Sequence, residues 1–455
     1  MDSEYYKKEY ISLYSKIINS PKLIDFTTMS DLSTNGSFAI VKKIMSNDEP
    51  KIIPFIRSGN CGETFINLSD LEYISELSHI QLPKSTTKLH DIMMARKGKI
   101  GGASIITENE VNYNCNENVI KLTIKDKTRY NPFYLTVYFN CKFGLKQIER
   151  LSTGNVQPWL SIFQIRKLLI PELDKRFQLK IETLVKFSYQ KIEESKKLYK
   201  EAEDLLLKEI DLIDFQPNDE NIAIKFFKES FLDTGRLDSE YYQPKYHELI
   251  AHIKKTKFDK LDNIANIKKS IEPGSEAYHE EGIPFIRVSN VTKFGITDTE
   301  IHLSKDILKK EDLEKLYPTK DTILLSKDGT IGIAYKIKNE TEMITSGALL
   351  HLTIKRDDVL PEYLTLVLNS LIVQLQADRD AGGSIIKHWK PSEIQEVLIP
   401  IIDISIQIEI EEKIRKSFEL KEESKKLLDL AKKAVETAIE QNESEAIKIL
   451  ENINA

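Results

Sequence analysis

Two patterns of hydrophobic and polar positions alternate along the chain. Residues 1–170 and 237–400 contain short runs such as IIPFI, KLTIK and LTVYF, set among Gly, Pro, Asn and Asp. Such runs are typical of strands joined by turns. Residues 171–213 and 403–450 contain no Gly and are dense in Glu, Lys, Leu, Ile and Ala, which predicts helices. The expected order is therefore globular part, long helix, globular part, long helix.

The two halves of the chain are copies of one unit. Short segments recur in the same order: DSEYY starts at Asp2 and Asp238, IPFIR at Ile53 and Ile283, LTIK at Leu122 and Leu352, and EESKKL at Glu193 and Glu422. The two tryptophans, Trp159 and Trp389, fit the same repeat. The members of every pair are separated by nearly the same distance, about half of the chain, which indicates a tandem repeat.

Each helical run carries a seam of positions spaced alternately four and three residues apart, the 3.5-residue period of a coiled coil. Small residues recur at matching places in the two seams. We predict that the two helices pair with each other, antiparallel, about a pseudo-twofold axis. The alternative is that each helix lies on its own domain. The seam positions are Ile181, Val185, Ser188, Ile192, Ser195, Tyr199, Ala202 and Leu206, then Ile410, Ile414, Ser417, Lys421, Ser424, Leu428, Ala431 and Val435.

The fold class predicted from these patterns is α+β, with two tandem α/β domains that are each followed by a long helix. We place the first domain at residues 1–170 and the first helix at 171–213. A linker and the second domain occupy residues 214–400, and the second helix occupies 401–455.

Composition and charge narrow the class of protein. The chain has 455 residues, of which 41% are hydrophobic, and this excludes wholesale disorder. Three cysteines at spacings that match no CxxC pattern argue against a disulfide framework or a zinc module. The N-terminal segment has no apolar signal core, so we expect a cytoplasmic protein. The net charge is −6, yet residues 1–170 carry 22 basic and 17 acidic groups, or +5.

An active site is not predicted. Asn131-Pro132-Phe133-Tyr134 resembles the N-P-P-Y/F motif of amino-methyltransferases, but no GxG loop for a methyl donor occurs in the chain. A proline that opens a helix explains this motif and its repeat partner, which begins at Leu360. The sequence also lacks the GxxxxGK[ST], HxxxH and HExxH patterns. We therefore expect neither a catalytic residue nor a metal site in this chain.

The segments that close the two globular parts carry a resemblance to a known family. They are STGNVQPW at residues 152–159 and GGSIIKHW at 382–389, and each is followed by an apolar stretch that ends in Leu-Ile-Pro. Residues 236–246, RLDSEYYQPKY, are similar to the entry of a target-recognition domain. With its order of domain, helix, domain, helix, the chain resembles the specificity (S) subunit of a type I restriction–modification enzyme over nearly its whole length.

This resemblance implies a non-catalytic, DNA-binding subunit that reads a bipartite, asymmetric site in double-stranded DNA. It also implies two methyltransferase subunits as partners, which use S-adenosylmethionine, and restriction subunits that join them. The chain itself would hold no cofactor and contact no membrane. The alternatives are a coiled-coil adaptor that never touches DNA and, with less support, a DNA adenine methyltransferase.

The candidate DNA contacts lie in turns and closing loops that repeat in the two halves. Cations beside glycines suit phosphate, while Asn, Gln and Lys can contact base edges. The alternatives are solvated turns and, for the two arginines that follow IPFI, bracing of their own domains. We interpret both tryptophans as core residues. The candidates are Arg57, Arg96, Lys97, Lys99, Asn155, Gln157, Arg287, Lys327, Lys387 and His388.

Overall fold

The structure of the chain is a computed structural model that describes residues 4–98, 100–154, 158–220, 222–306, 309–382 and 386–451. The chain forms two compact units, and the boundaries between them fall within the two long helical runs. Unit 1 comprises Met1–Glu193 and Leu420–Ala455, and unit 2 comprises Glu194–Glu419.

Unit 1 contains a larger sheet with the strand order β1-β8-β5-β6-β3 and a smaller one with the order β4-β2-β7. Its strands are β1 (Thr27–Ser30), β2 (Lys51–Ile56), β3 (Thr64–Phe65), β4 (Glu72–Ser75), β5 (Ile92–Ala95), β6 (Ala103–Ile105), β7 (Asn114–Cys115) and β8 (Val119–Ile124). Its short helices are α1 (Lys8–Ile17), α2 (Leu23–Phe26), α3 (Phe38–Met45), α4 (Glu76–Gln81), α5 (Pro132–Asn140), α6 (Lys142–Leu151) and α7 (Ile162–Ile165).

Alternation along β5 explains how the larger sheet separates two cores. Ile92 and Met94 belong to the main core, which α5 and α6 cover, whereas Met93 and Ala95 belong to a second cluster. All four are fully buried, because successive strand residues point to opposite faces and both faces are covered. The sheet is therefore an internal layer of unit 1.

Unit 2 repeats the order of four strands of the larger sheet and of three strands of the smaller sheet. Its sheets have the orders β10-β19-β16-β17 and β11-β15-β12-β18, with the pairs β13-β14 and β20-β9 beside them. The strands are β9 (Phe258–Lys260), β10 (Ala265–Lys269), β11 (Tyr278–His279), β12 (Ile283–Ile286), β13 (Val291–Thr292), β14 (Gly295–Ile296), β15 (His302–Leu303), β16 (Ile323–Ser326), β17 (Ala334–Lys336), β18 (Ile344–Thr345), β19 (Leu349–Ile354) and β20 (Leu398–Pro400). The short helices are α9 (Pro244–Ile253), α10 (Leu261–Ile264), α11 (Lys310–Glu314), α12 (Pro361–Asn369), α13 (Leu371–Asp380) and α14 (Pro391–Gln395).

Strand register shows that the repeat seen in the sequence is a repeat of structure. Ile92 pairs with Leu122 in unit 1, and Ile323 pairs with Leu352 in unit 2. In each smaller sheet the strand that contains IPFI pairs in parallel with a short strand, β7 or β18. Short 3-10 helices lie at Glu4–Tyr6, Leu32–Asn35, Ser58–Asn60, Glu108–Glu110, Ser239–Tyr242, Ser275–Ala277 and Val288–Asn290, and Lys228–Leu232 form a π-helix.

Two long helices follow the globular parts, α8 (Lys175–Glu209) and α15 (Ile404–Glu440). The second helical run, which the sequence analysis treats as one helix, is divided, because α16 (Glu443–Glu451) starts anew. Asn442 causes the break, since its Oδ1 accepts from the backbone N–H of Glu445 at 3.0 Å and caps the new helix. Ala446 and Leu450 of α16 then pack into the core of unit 1.

The predicted antiparallel pairing of the long helices is present in each unit. In unit 1 the hydroxyls of Ser188 and Ser424 are 2.7 Å apart, and in unit 2 those of Ser195 and Ser417 are 3.0 Å apart. Ser188 is equivalent to Ser417 in the repeat, and Ser195 to Ser424, so the same contact occurs once in each unit. The predicted α+β fold, with two mixed domains that are each followed by a long helix, is confirmed.

The rest of the predicted seam is buried, with two exceptions. Ile192 is half-buried and Lys421 is exposed, and these two residues occupy equivalent positions of the repeat. The buried members other than the four serines are Ile181, Val185, Tyr199, Ala202, Leu206, Ile410, Ile414, Leu428, Ala431 and Val435. No helix among the described residues is long and apolar enough to cross a membrane.

Candidate nucleic-acid interface

The basic turn after β5 contains cations with different surroundings. The guanidinium of Arg96 lies 3.4 Å from the fully buried carboxylate of Asp31, and its Nε donates to the carbonyl of Glu117 at 2.7 Å. Lys97 is exposed, and its side chain makes no hydrogen bond or ion pair within the part of the chain that is described. Lys99 lies outside the described residues. Arg96 therefore braces the turn, and Lys97 is the cation available to a ligand.

In the equivalent turn of unit 2, the charged side chains pair with one another. Asp328 accepts from the ammonium of Lys327, and its Oδ1 lies 2.9 Å from Nδ1 of His388. Partial burial opposes ionisation of Asp328, but the hydrogen bonds from Lys327 and His388 outweigh it and hold the pKa of the carboxyl below its usual value. Lys387 pairs with Asp378 at 2.5 Å. These three candidate contacts thus already have partners within unit 2.

The two arginines that follow IPFI also differ. In unit 1 the guanidinium of Arg57 donates to Glu72 at 2.7 Å and to the backbone carbonyl of Asp70 at 2.8 Å. In unit 2 Arg287 is exposed, and its side chain has no carboxylate partner among the described residues. Strand pairing gives the reason: Glu72 stands opposite Phe55, whereas the apolar Ile301 stands opposite Phe285.

The tryptophans are not equivalent, which corrects the alignment made from the sequence. In unit 1 the backbone of Lys97 forms an isolated antiparallel β-bridge with that of Trp159, whereas in unit 2 Asp328 forms this bridge with His388. The next residues, Leu160 and Trp389, each donate from their backbone N–H to the turn at 2.8 Å. The structural partner of Trp159 is therefore His388, the residue before Trp389.

This shift of one residue decides which tryptophan is in the core. Trp389 is 1% exposed, as predicted, but Trp159 is 46% exposed, so its interpretation as a core residue is wrong. Adjacent residues of an extended segment point to opposite sides, and the inward position of unit 1 is taken by Leu160, which is fully buried.

The Leu-Ile-Pro junctions carried the signal for this register. They begin at Leu169 and Leu398, and Trp159 and His388 precede them by the same number of positions. An alignment anchored on these junctions, rather than on the two tryptophans, therefore pairs Trp159 with His388.

Two further sequence candidates, Asn155 and Gln157, lie outside the described residues. The loop that holds them is closed by a pair of backbone hydrogen bonds between Thr153 and Trp159, at 2.9 and 3.0 Å. The structure thus brings the described ends of this loop beside the turn of Lys97. In unit 2 the bridge between Gly382 and His388 closes the matching loop.

The methyltransferase-like motif opens a helix, as its proline predicts. Asn131 caps α5, because its Oδ1 accepts from the backbone N–H groups of Phe133 and Tyr134, and Pro132 occupies the first turn. Pro361 occupies the same place in α12. The cysteines are free and buried, and burial raises the pKa of the Cys115 and Cys141 thiols to about 12. These thiols are core residues.

Comparison with known proteins returns solved structures. No protein-family model matches the chain, and no curated protein matches it. The crystal structure of a type I restriction–modification S subunit from M. genitalium is similar over 95% of both chains, with a TM-score of 0.38 and 15% identity. The HsdS subunit from Thermoanaerobacter tengcongensis is similar over 93% of this chain and 96% of its own, with a TM-score of 0.31 and 13% identity.

A structure from work on complex assembly and conformational transition of the type I R-M system is also similar. It covers 95% of this chain and 96% of its own, with a TM-score of 0.27 and 15% identity. S subunits of type I systems, which the sequence resembles, are thus among the solved structures to which the chain is similar.

Proposed function

We propose that the chain is the non-catalytic specificity subunit of a type I restriction–modification complex. It binds double-stranded DNA at a bipartite, asymmetric site and positions the DNA methyltransferase and restriction subunits. The observation that carries the proposal is the relation between the two units: most strands of their sheets follow the same order, while their exposed turns carry different chemistry.

The differences fall at equivalent positions. Unit 1 presents Lys97 and Trp159 where unit 2 has Asp328 and His388. In contrast, unit 2 leaves Arg287 exposed, whereas Arg57 of unit 1 is paired with Glu72. A common framework with different exposed groups suits a protein that reads two different half-sites, because base contacts specify the sequence while the framework positions them.

The proposed partners are two methyltransferase subunits, which would bring S-adenosylmethionine, and restriction subunits. An exposed apolar segment of unit 2 supports a role in an assembly, because clustered apolar side chains at a surface are typical of protein contacts. The same segment favours the second candidate, a coiled-coil adaptor without DNA binding. Its large exposed residues are Ile222, Ile224, Phe226, Phe227, Phe231, Leu232 and Leu237.

Salt dependence of duplex binding separates these two candidates. We expect the full chain to bind duplex DNA with an affinity that falls steeply as salt rises, because each phosphate contact releases counterions. Arg287→Ala should reduce the salt slope by about one unit if that arginine meets phosphate. Arg57→Ala is the matched control and should leave the slope unchanged, since its charge is already paired. Absence of duplex binding at every salt concentration would support the adaptor.

Methylation tests the remaining part of the proposal. The purified chain should transfer no methyl group from labelled S-adenosylmethionine to DNA, whereas the host should lose one bipartite adenine-methylation motif when the gene is deleted. Methyl transfer by the chain alone would instead identify it as a methyltransferase. An unchanged host methylome would contradict the proposed role.

A further inference from the structure

Trp159 is held outward by a fixed backbone. Its N–H and C=O are bonded to Thr153 at 2.9 and 3.0 Å, and the N–H of Leu160 donates to the carbonyl of Arg96 at 2.8 Å. Leu160 is fully buried while Trp159 is 46% exposed. Because the inward position is occupied by leucine, the indole cannot enter the core by a small shift of the chain. Unit 1 therefore presents a large aromatic ring from a hydrogen-bonded stretch of backbone.

Cations and a second aromatic ring accompany Trp159. Lys97 forms an antiparallel β-bridge with it, and Phe163, in the short helix α7, is 65% exposed. The ammonium of Lys167 lies 3.9 Å from the centre of the Phe163 ring. Arg166 is exposed, and its side chain has no partner among the described residues. We call Lys97, Trp159, Phe163, Arg166 and Lys167 the aromatic–basic segment.

Unit 2 has different residues at each of these positions. With the register fixed by Trp159 and His388, the stretch WLSIFQIRK of unit 1 matches HWKPSEIQE of unit 2. The first stretch carries two cations and no carboxylate, and the second carries one cation and two carboxylates. Ser392 stands in the place of Phe163, and Glu396 in the place of Lys167. The contrast is therefore specific to the first repeat.

We propose that the aromatic–basic segment contacts DNA directly, with Trp159 against a base or deoxyribose and Lys97 and Arg166 against phosphates. Aromatic rings beside unpaired cations match the two kinds of surface that duplex DNA presents, which are apolar deoxyribose and base-edge groups such as the thymine methyl, and anionic phosphates. A carboxylate-free stretch disfavours a basic protein partner. The inference rests on the proposed function and adds that the first unit reads its half-site partly by aromatic contact, whereas the second unit does not.

The two tryptophans make this contact measurable in the full chain. Trp389 is buried, so acrylamide should quench mainly the fluorescence of Trp159. We expect a duplex selected from a random-sequence pool for binding to the wild-type chain to protect Trp159 from acrylamide. The chain with Trp159→Phe should lose the quenchable component, which identifies its source. Protection by partner subunits and not by DNA would overturn the proposal in favour of a protein contact.

Affinity for the same selected duplex gives a second readout. Trp159→Ala should weaken binding at least about fivefold, the lower end of what loss of one specific base contact costs, while Trp159→Phe should retain most of the affinity. Phe187→Ala, which removes an exposed aromatic ring from α8 of the same unit, is the matched control and should change affinity less than about twofold. An exposed site makes misfolding of these variants a minor concern, and circular dichroism checks it.

The outcomes separate this inference from the proposed function. If the wild-type chain binds a duplex but acrylamide quenching and the affinity of Trp159→Ala are both unchanged, the aromatic contact is wrong and DNA reading stands. If the wild-type chain binds no duplex at any salt concentration, the proposed function fails, and this inference fails with it.

Discussion

One position of the repeat holds a buried basic residue that each unit accommodates differently. In unit 1 Lys121 of β8 donates to the carbonyl of Thr86 at 2.5 Å and lies 3.7 Å from the buried carboxylate of Asp91. In unit 2 the residue is His351 of β19, and its Nε2 lies 2.8 Å from the hydroxyl of Thr345. Burial, with a smaller contribution from the charge of Lys268, lowers the pKa of His351 to about 4.

The lowered pKa of His351 predicts that the folded chain loses stability in mild acid. Its pKa is lowered from 6.5 to about 4 by folding, so the unfolded chain binds the proton first as the pH falls. The contribution of neutral His351 is complete above pH ~6.5 and declines as the pH falls towards ~4. At pH ~5 the loss is about 2 kcal/mol, since each unit of pKa difference is worth ~1.36 kcal/mol.

Unfolding of unit 2 can be followed through the buried Trp389 in a Trp159→Phe background. His351→Gln in that background should reduce the difference in unfolding free energy between pH 7 and pH 5. The variant shares every other titrating group with its parent, so the comparison isolates one imidazole. Equal pH dependence in the two proteins would show that His351 does not titrate in this range.

At the residue scale, the sequence reveals the chemistry of the candidates but not their partners. Arg57 and Arg287 both end the same pentapeptide, IPFIR, so the sequence does not distinguish them. The opposite strand does, because it offers Glu72 as an ion-pair partner to Arg57 but has the apolar Ile301 near Arg287. The exposure of Trp159 was missed for a related reason. Aligning the two tryptophans places the repeat one residue away from the register that the Leu-Ile-Pro junctions give. A shift of one residue moves a side chain to the opposite face of an extended segment.

Helix pairing depends on small seam residues in both units. Ser424→Leu in unit 1 and Ser195→Leu in unit 2 place a larger side chain where two helices are close enough for serine hydroxyls to bond. We expect each to lower the free energy of unfolding by about 1–3 kcal/mol through overpacking. The buried hydroxyl of the partner serine also loses its bond, which adds to the cost.

Denaturant unfolding of the full chain measures both effects. Lys425→Leu is the matched control, because it adds the same side chain one residue from Ser424 at an exposed position and should change stability by less than ~0.5 kcal/mol. If the serine variants were as stable as this control, close approach of the helices would not limit the size of the side chains at these two positions.

At the element scale the sequence was most informative where periodicity was long. The 3.5-residue seam identified both helices and their pairing, and Pro132 and Pro361 marked helix starts. The break at Asn442 was missed, because Glu, Lys, Ala and Ile continue on both sides of it. Composition does not show that an asparagine side chain has turned back to cap the next helix.

For the whole molecule, the proposed function and the tandem repeat together predict that two half-sites are read independently. Exchange of residues 1–165 for the same part of an S subunit from a type I system should change one half of the recognised sequence and leave the other half intact, because both long helices begin after this point. Methylome sequencing of cells that express the hybrid measures the outcome. A simultaneous change of both halves would contradict independent reading.

The composition of the units has a consequence for synthesis on the ribosome. The core of unit 1 includes Val185 of α8 together with Leu428, Ala431 and Val435 of α15, and all of unit 2 is made between these two parts. Domains usually finish folding in the order in which they are made. Here unit 1 is begun before unit 2 but completed after it. The apolar face of α8 in unit 1 stays uncovered in the nascent chain until the second half of α15 has been made.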